Sequence, residues 1–137
     1  MICVGIRGSG QSSSDCVYNQ AGGLTSTEAE TSFAMWCMWS SPILLGFDMT
    51  KDMSSADLAH DLALVKNEEL IAINQDALGQ GAEYIKSADG IDYYQKDLAD
   101  GDVAIAAVNL SDNSATYTIS MADYDALDLS ESYSARD

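Results

Sequence analysis

The sequence has 137 residues, long enough for one ordinary domain with a real core, and 47% of them are hydrophobic, a globular composition rather than a disordered one. Twenty-two acidic residues stand against 6 basic ones, for a formal net charge of −16. Phosphate backbones are bound by clusters of Lys and Arg; none exists here, which argues against a nucleic-acid partner and an anionic membrane surface and leaves neutral substrates open. No apolar run reaches the roughly 18 residues of a membrane helix, because Ser40, Ser41 and Pro42 break the stretch from Phe33 to Phe47.

In chain order, residues 1–5 read as a short buried strand of a parallel sheet, with no basic-then-apolar leader pattern in front of them. A long Gly- and Ser-rich loop, Ile6 to Leu24, follows; loops of that length are usually functional or disordered. Thr25 and Glu28 form a capping box that starts a helix. Ala29, Phe33, Trp36, Cys37 and Ser40 share one face of it, Met35, Met38 and Trp39 make the rest apolar, and Pro42 is expected to end it. Trp36 and Trp39 are therefore expected in the core. The run Ile43-Leu44-Leu45-Gly46 reads as a second buried strand, completing a βαβ unit.

Ser54 with Asp57 predicts another helix start, with Leu58, Leu62 and Val65 as its buried stripe and His60 at its boundary. Asn67 caps a short helix, with Glu68 and Glu69 in its first turn and Leu70, Ile71 and Ile73 burying it, until Gly79 and Gly81 break it. From there the period changes to two. Glu83–Lys86 and Ile91–Leu98 are strand candidates, and Asp100-Gly101 is expected to be a two-residue hairpin turn. Val103–Leu110, apolar on both faces, is expected to be a central strand. Ser111–Ser114 is a turn, and Tyr117, Ile119 and Met121 alternate as a half-buried strand. The α/β part is expected to give way to the β part near residue 80, and both halves read as portions of larger sheets.

Cys3, Cys16 and Cys37 form no C-x-x-C pair, and His60 is remote in sequence, so no zinc site is expected. Cys3 and Cys37 read as reduced core residues. Asp89, Asp100, Asp102 and Asp112 lack calcium-loop spacing and read as turn residues. No phosphate loop or Ser-His-Asp arrangement is present, and no cofactor is called for.

Several segments carry a resemblance. GLTSTEAETSFAMWCMWSSPILLGFDM (Gly23 to Met49) is similar to the segment of family-27 glycoside hydrolases, the α-galactosidases or melibiases, that holds the seventh barrel helix and eighth strand. KNEELIAINQDALGQ (Lys66 to Gln80) resembles their NKEVIAINQDPLG signature, with Ala77 where proline is usual. MICVGIRG resembles their seventh strand without the Asp that normally precedes it, and Tyr93 to Asp112 resembles the first hairpin of their C-terminal β-sandwich.

The resemblance implies the last strands and helices of a (β/α)8 TIM barrel over residues 1–79 and the start of an antiparallel β-sandwich over 80–137. It implies retaining hydrolysis of terminal α-D-galactosides by two Asp residues on the fourth and sixth strands, both upstream of Met1, so that no residue here is catalytic and this chain alone is expected to be inactive. Met1 matches a pocket methionine, and Arg7, Tyr18 and Asn19 are candidate sugar contacts at the pocket rim. Asp48 is expected to order its loop. An α-N-acetylgalactosaminidase of the same family and a stand-alone interaction module are the alternatives. A homo-oligomer is open, as is location, secreted or cytoplasmic.

Overall fold

The computed structural model describes residues 24–45 and 56–136, the side chains of 56–58 excepted. The chain divides into two compact units, Met1–Gln75 and Asp76–Asp137.

Among its described residues the first unit holds three helices: α1 (Ser26–Met38), α2 (Ala56–Val65) and α3 (Glu68–Asn74). α1 begins as the capping box dictates. Thr25 Oγ1 accepts from the Glu28 amide, and the Glu28 carboxylate accepts from the Thr25 amide at 2.7 Å. Its end differs from expectation. The last helical residue is Met38, and Ser40 adopts a left-handed backbone at φ 50°. Its amide donates to the Cys37 carbonyl, and the Ser41 amide reaches back to that of Trp36. That pair of bonds is a Schellman motif with serine in the usual glycine position. It stops the helix before Pro42, which only prevents its resumption.

Phe33 and Cys37 are the fully buried centre of this unit, and Trp36, Ile43, Leu64, Val65 and Leu70 pack around them. The stripe of α2 that faces this centre therefore runs through Leu64 and Val65, while Leu62 is half-buried and the side chain of Leu58 lies outside the described residues. Trp39 is 46% exposed, which corrects its assignment to the core. It sits at the C-cap, where the chain has already left the helical face that Phe33 and Cys37 share.

The expected strand at Ile43–Gly46 is reduced to an isolated bridge at Leu45, with Leu44 67% exposed and Leu45 46% exposed. A strand buried on both faces needs neighbours on both sides, and no strand ladder covers these residues among those described. α3 is capped by Asn67, whose Oδ1 accepts from the amides of Glu69 and Leu70. Leu70, Ile71 and Ile73 are half-buried rather than core. The helix stops at Asn74, well before the glycines expected to break it.

The second unit is a three-stranded antiparallel sheet in the order β1 (Glu83–Ala88), β2 (Ile91–Asp97), β3 (Val103–Asn109). β2, not β3, is central: its residues are the most buried, while β3 is half-buried along its length. The β1–β2 connection is the two-residue loop Asp89-Gly90, with φ of 53° and 78°, as a type I′ turn requires. The β2–β3 connection, expected to be a two-residue turn, is longer. Leu98 and Asp102 pair across it, the Gly101 amide donates to the Leu98 carbonyl, and Gly101 is left-handed at φ 90°. Asp100 accepts from the Asp102 amide, the turn chemistry expected of it. A register shift between Tyr84 and Lys86 makes Ile85 a β-bulge.

Residues 115–120 form no strand, and Tyr117 and Ile119 are 49% and 44% exposed. Alternation alone makes no strand where no partner ladder receives it. A 3₁₀ turn, Met121–Asp123, leads instead into Tyr124, which is 2% exposed. Asp123 pairs with Lys86, and Asp125 accepts from Gln95, so this segment covers the face of the sheet that carries Lys86, Tyr93 and Gln95.

Candidate functional site

Met1, Arg7, Tyr18 and Asn19, the residues the resemblance implies at the sugar pocket, lie outside the described residues, as do Asp48, Cys3, Cys16 and Ser54. The chemistry that the described residues bring together lies elsewhere.

The first cluster ties two helices. On α2, His60 Nε2 stands 2.8 Å from Glu30 of α1, and its Nδ1 is 3.5 Å from Asp61. Glu30 is half-exposed, so this is a surface pair of small energetic weight. Asp61 is 2% exposed, a burial that nothing in the apolar spacing of α2 announces. Cys37, on the neighbouring helix, is a fully buried thiol outside any disulfide.

The second cluster lies in the sheet unit. Alternation along β2 puts Ile91, Tyr93 and Gln95 on one face, and that face is buried. Gln95 is consequently 5% exposed. Its Nε2 donates to Asp97 at 3.1 Å and to Asp125 at 2.8 Å, while its Oε1 has no hydrogen-bond partner. Around it opens a cleft of about 160 Å³ whose lining includes Gln80, Glu83, Gln95, Lys96, Asp97 and Asp125. Lys96 is 1% exposed. Among the described residues no three His, Cys, Asp or Glu side chains lie close enough to hold a metal ion. Sequence reasoning missed Gln95 and Lys96, although the β2 alternation Ile91, Tyr93, Gln95 carried the signal for the first.

Beside the cleft, Lys86 lies 5.1 Å from the Tyr93 ring centroid and pairs with Asp123. The Asp123 hydrogen bond raises the Lys86 ammonium above its ordinary range, and burial raises the Tyr124 phenol. Asp76 is held below the usual carboxylate range, first by the Ala99 amide and then by that of Leu78, at 3.0 Å each.

These placements explain the INQD run of the signature. Asn74 Nδ2 donates to the Ser41 carbonyl at 2.9 Å and to the Trp36 carbonyl at 3.3 Å, locking α3 onto the Schellman end of α1. Asp76, two residues on, organises the turn at Leu78 and the β2–β3 loop at Ala99. Both are structural ties, one within each unit.

Comparison with known proteins agrees with the arrangement. Residues 88–137 match the family described as alpha galactosidase C-terminal beta sandwich domain. The chain is 34% identical over 102 residues to the alpha-galactosidase of Cyamopsis tetragonoloba, covering 74% of this chain and 24% of the relative. It is 33% identical over 97 residues to that of Coffea arabica, covering 71% and 24%. Residues 88–137 thus belong to the melibiase C-terminal domain family, and the chain is similar to α-galactosidases over about seven-tenths of its length. It corresponds to the C-terminal portion of those proteins and spans about a quarter of the length of these curated relatives. The crystal structure of alpha-galactosidase I from Mortierella vinacea shares the fold, with a TM-score of 0.67 at 24% identity, over 77% of this chain and 25% of that one.

Proposed function

We propose that this chain is part of a retaining α-galactosidase that removes terminal α-D-galactosyl residues from oligosaccharides or glycoconjugates. The observation that carries this is the set of curated relatives named alpha-galactosidase, at 31–34% identity over about seven-tenths of the chain. In this reading residues 1–79 contribute the closing strands and helices of a (β/α)8 barrel, and residues 80–137 open the C-terminal sandwich. The nucleophile and the acid are two Asp carboxyls about 5–5.5 Å apart, on barrel strands outside these 137 residues. Met1 lines the sugar pocket, and Arg7, Tyr18 and Asn19 lie at its rim, where loops after barrel strands meet the ligand.

The test is turnover of nitrophenyl α-galactoside and of its N-acetyl analogue, by the 137-residue chain and by the full-length parent. The parent is expected to hydrolyse the galactoside with retained anomeric configuration, and the chain alone neither substrate. Preference of the parent for the N-acetyl substrate would move the activity to α-N-acetylgalactosaminidase. Turnover by the chain alone would place a carboxylate pair within it and overturn the assignment.

A further inference from the structure

The polar clusters described above are ties between the chain's own groups. Asn109 stands in a different setting. The chain has five asparagines, Asn19, Asn67, Asn74, Asn109 and Asn113, and of these Asn109 alone has a hydroxyl residue two positions on, in Asn109-Leu110-Ser111. Asn-x-Ser/Thr with a residue other than proline in the middle is the acceptor sequence for N-linked glycans, and it serves on accessible surface. This one is accessible. Asn109 is the last residue of β3, and every residue from Asn109 to Ser120 is exposed. The backbone beneath it is fixed: Asn109 pairs with Ile91, and the Leu110 amide donates to the Gly90 carbonyl at 3.1 Å. The side chain is compatible with an attached sugar. Its Oδ1 accepts from the Ser111 amide at 2.9 Å and stands 2.8 Å from the Ser111 hydroxyl, and its Nδ2 donates to the Asn113 carbonyl at 2.7 Å. Nδ2 carries two hydrogens. A glycan replaces one of them, so the bond to Asn113 can persist. Leu110, inside the acceptor sequence, is 67% exposed, an apolar surface that a sugar on its neighbour shields.

We propose that Asn109 is a site of N-linked glycosylation, and that the parent protein therefore passes the face of a membrane where glycan transfer takes place. The co-reactant is an oligosaccharide carried on a lipid pyrophosphate, brought to the chain by a membrane transferase. Asn109 Nδ2 forms a bond to the anomeric carbon of the first sugar, the bond from that carbon to the pyrophosphate oxygen breaks, and the pyrophosphate leaves with the electron pair. One Nδ2 proton passes to a base of the transferase. In the folded turn the Asn109 side chain is engaged with Ser111 and Asn113, so transfer precedes closure of the turn. The assignment rests on the acceptor sequence and its exposure, and is independent of the galactosidase reading.

The test is peptide mass spectrometry on the full-length parent purified from its own source. Cleavage before aspartates yields the peptide Asp102–Ser111, which holds the acceptor sequence and no second asparagine. That peptide is expected to carry a glycan, and a peptide N-glycosidase in heavy-oxygen water is expected to release it and leave a labelled aspartate at position 109. An unmodified peptide from the native protein would overturn the proposal. In the parent expressed in the same organism, Ser111→Ala is expected to lose the glycan and Ser111→Thr to keep it. Both variants leave Asn109 and its bond to Asn113 in place, so a loss confined to Ser111→Ala reads the hydroxyl that the transferase requires. A glycan retained by Ser111→Ala, or lost from folded Ser111→Thr, would show modification that does not follow the acceptor sequence and would also overturn it.

Discussion

Replacing Asn74 is expected to loosen the helical unit without disturbing the sheet. Its Nδ2 makes two neutral hydrogen bonds, at 2.9 Å to Ser41 and 3.3 Å to Trp36. At about 0.5–1.5 kcal/mol each, Asn74→Ala should cost roughly 1–3 kcal/mol. With a urea dependence of about 2 kcal/mol per molar, the midpoint falls by roughly 1 M. The chain offers separate optical probes for its two units. Both tryptophans, Trp36 and Trp39, lie in the first, and six of the seven tyrosines lie in the second. Urea unfolding followed by tryptophan fluorescence should show the loss, and tyrosine near-ultraviolet dichroism should not. Asn74→Asp should be worse than alanine at neutral pH, because it sets a carboxylate against two carbonyl oxygens, and should recover on acidification as the protonated acid regains a donor. An aspartate variant as stable as the alanine variant at neutral pH would refute the donor role. Equal shifts by both probes would refute its confinement to the helices.

Gly90→Ala and Gly101→Ala should each cost about 1–2 kcal/mol in the tyrosine-detected transition, because φ is 78° and 90° and no atom lies within 4 Å of an added Cβ, leaving backbone strain as the whole cost; unchanged midpoints would refute the left-handed turns. Asp76, Glu28 and Asp128 are all held below the ordinary carboxylate range, chiefly by backbone amides. A lowered folded-state value means stability that is present above the unfolded value of about 4 and lost as pH falls through the folded one. Thermal midpoints should therefore drop below about pH 4, and Asp76→Asn should flatten that drop; an unflattened profile would exclude Asp76 as a contributor. With Trp39, Leu44 and Leu45 exposed on one short stretch of chain, the isolated chain should self-associate on gel filtration as concentration rises, and a monomer at all concentrations would count against an apolar surface there.

What was legible in the sequence was what local chemistry decides. Thr25 with Glu28, and Asn67 before two glutamates, are complete devices within four residues, and both helices start where those devices put them. Strands are different, because their identity depends on a partner the local sequence does not name. Ile43–Gly46 and Tyr117–Met121 have the composition and alternation of strands, yet no described ladder receives either. The two Asp-Gly pairs make the same point in turns. Asp89-Gly90 forms the two-residue hairpin, while Asp100-Gly101 sits in a longer one because Leu98 pairs with Asp102 beyond it. Register decides between them, and register is a property of two strands. The same holds for the cleft. Gln95 could be placed inward from β2 alone, but its partner Asp125 is 30 residues away, on a segment whose path over the sheet is set by Lys86 and buried Tyr124.

The INQD run shows why a motif can be read correctly for kinship and remain silent about chemistry. Asn74 and Asp76 are polar, close together and part of a signature, which is the pattern that invites a catalytic assignment. Their partners are main-chain groups: two carbonyls for Asn74, two amides for Asp76. A carboxylate that accepts from two amides is stabilised in its charged form and made a poorer proton donor and acceptor near neutrality. Side chains spent on backbone groups at helix ends and loops are positioning devices. Gln95 and Tyr124 differ in that each keeps one buried polar atom, Oε1 and the phenol oxygen, without a hydrogen-bond partner.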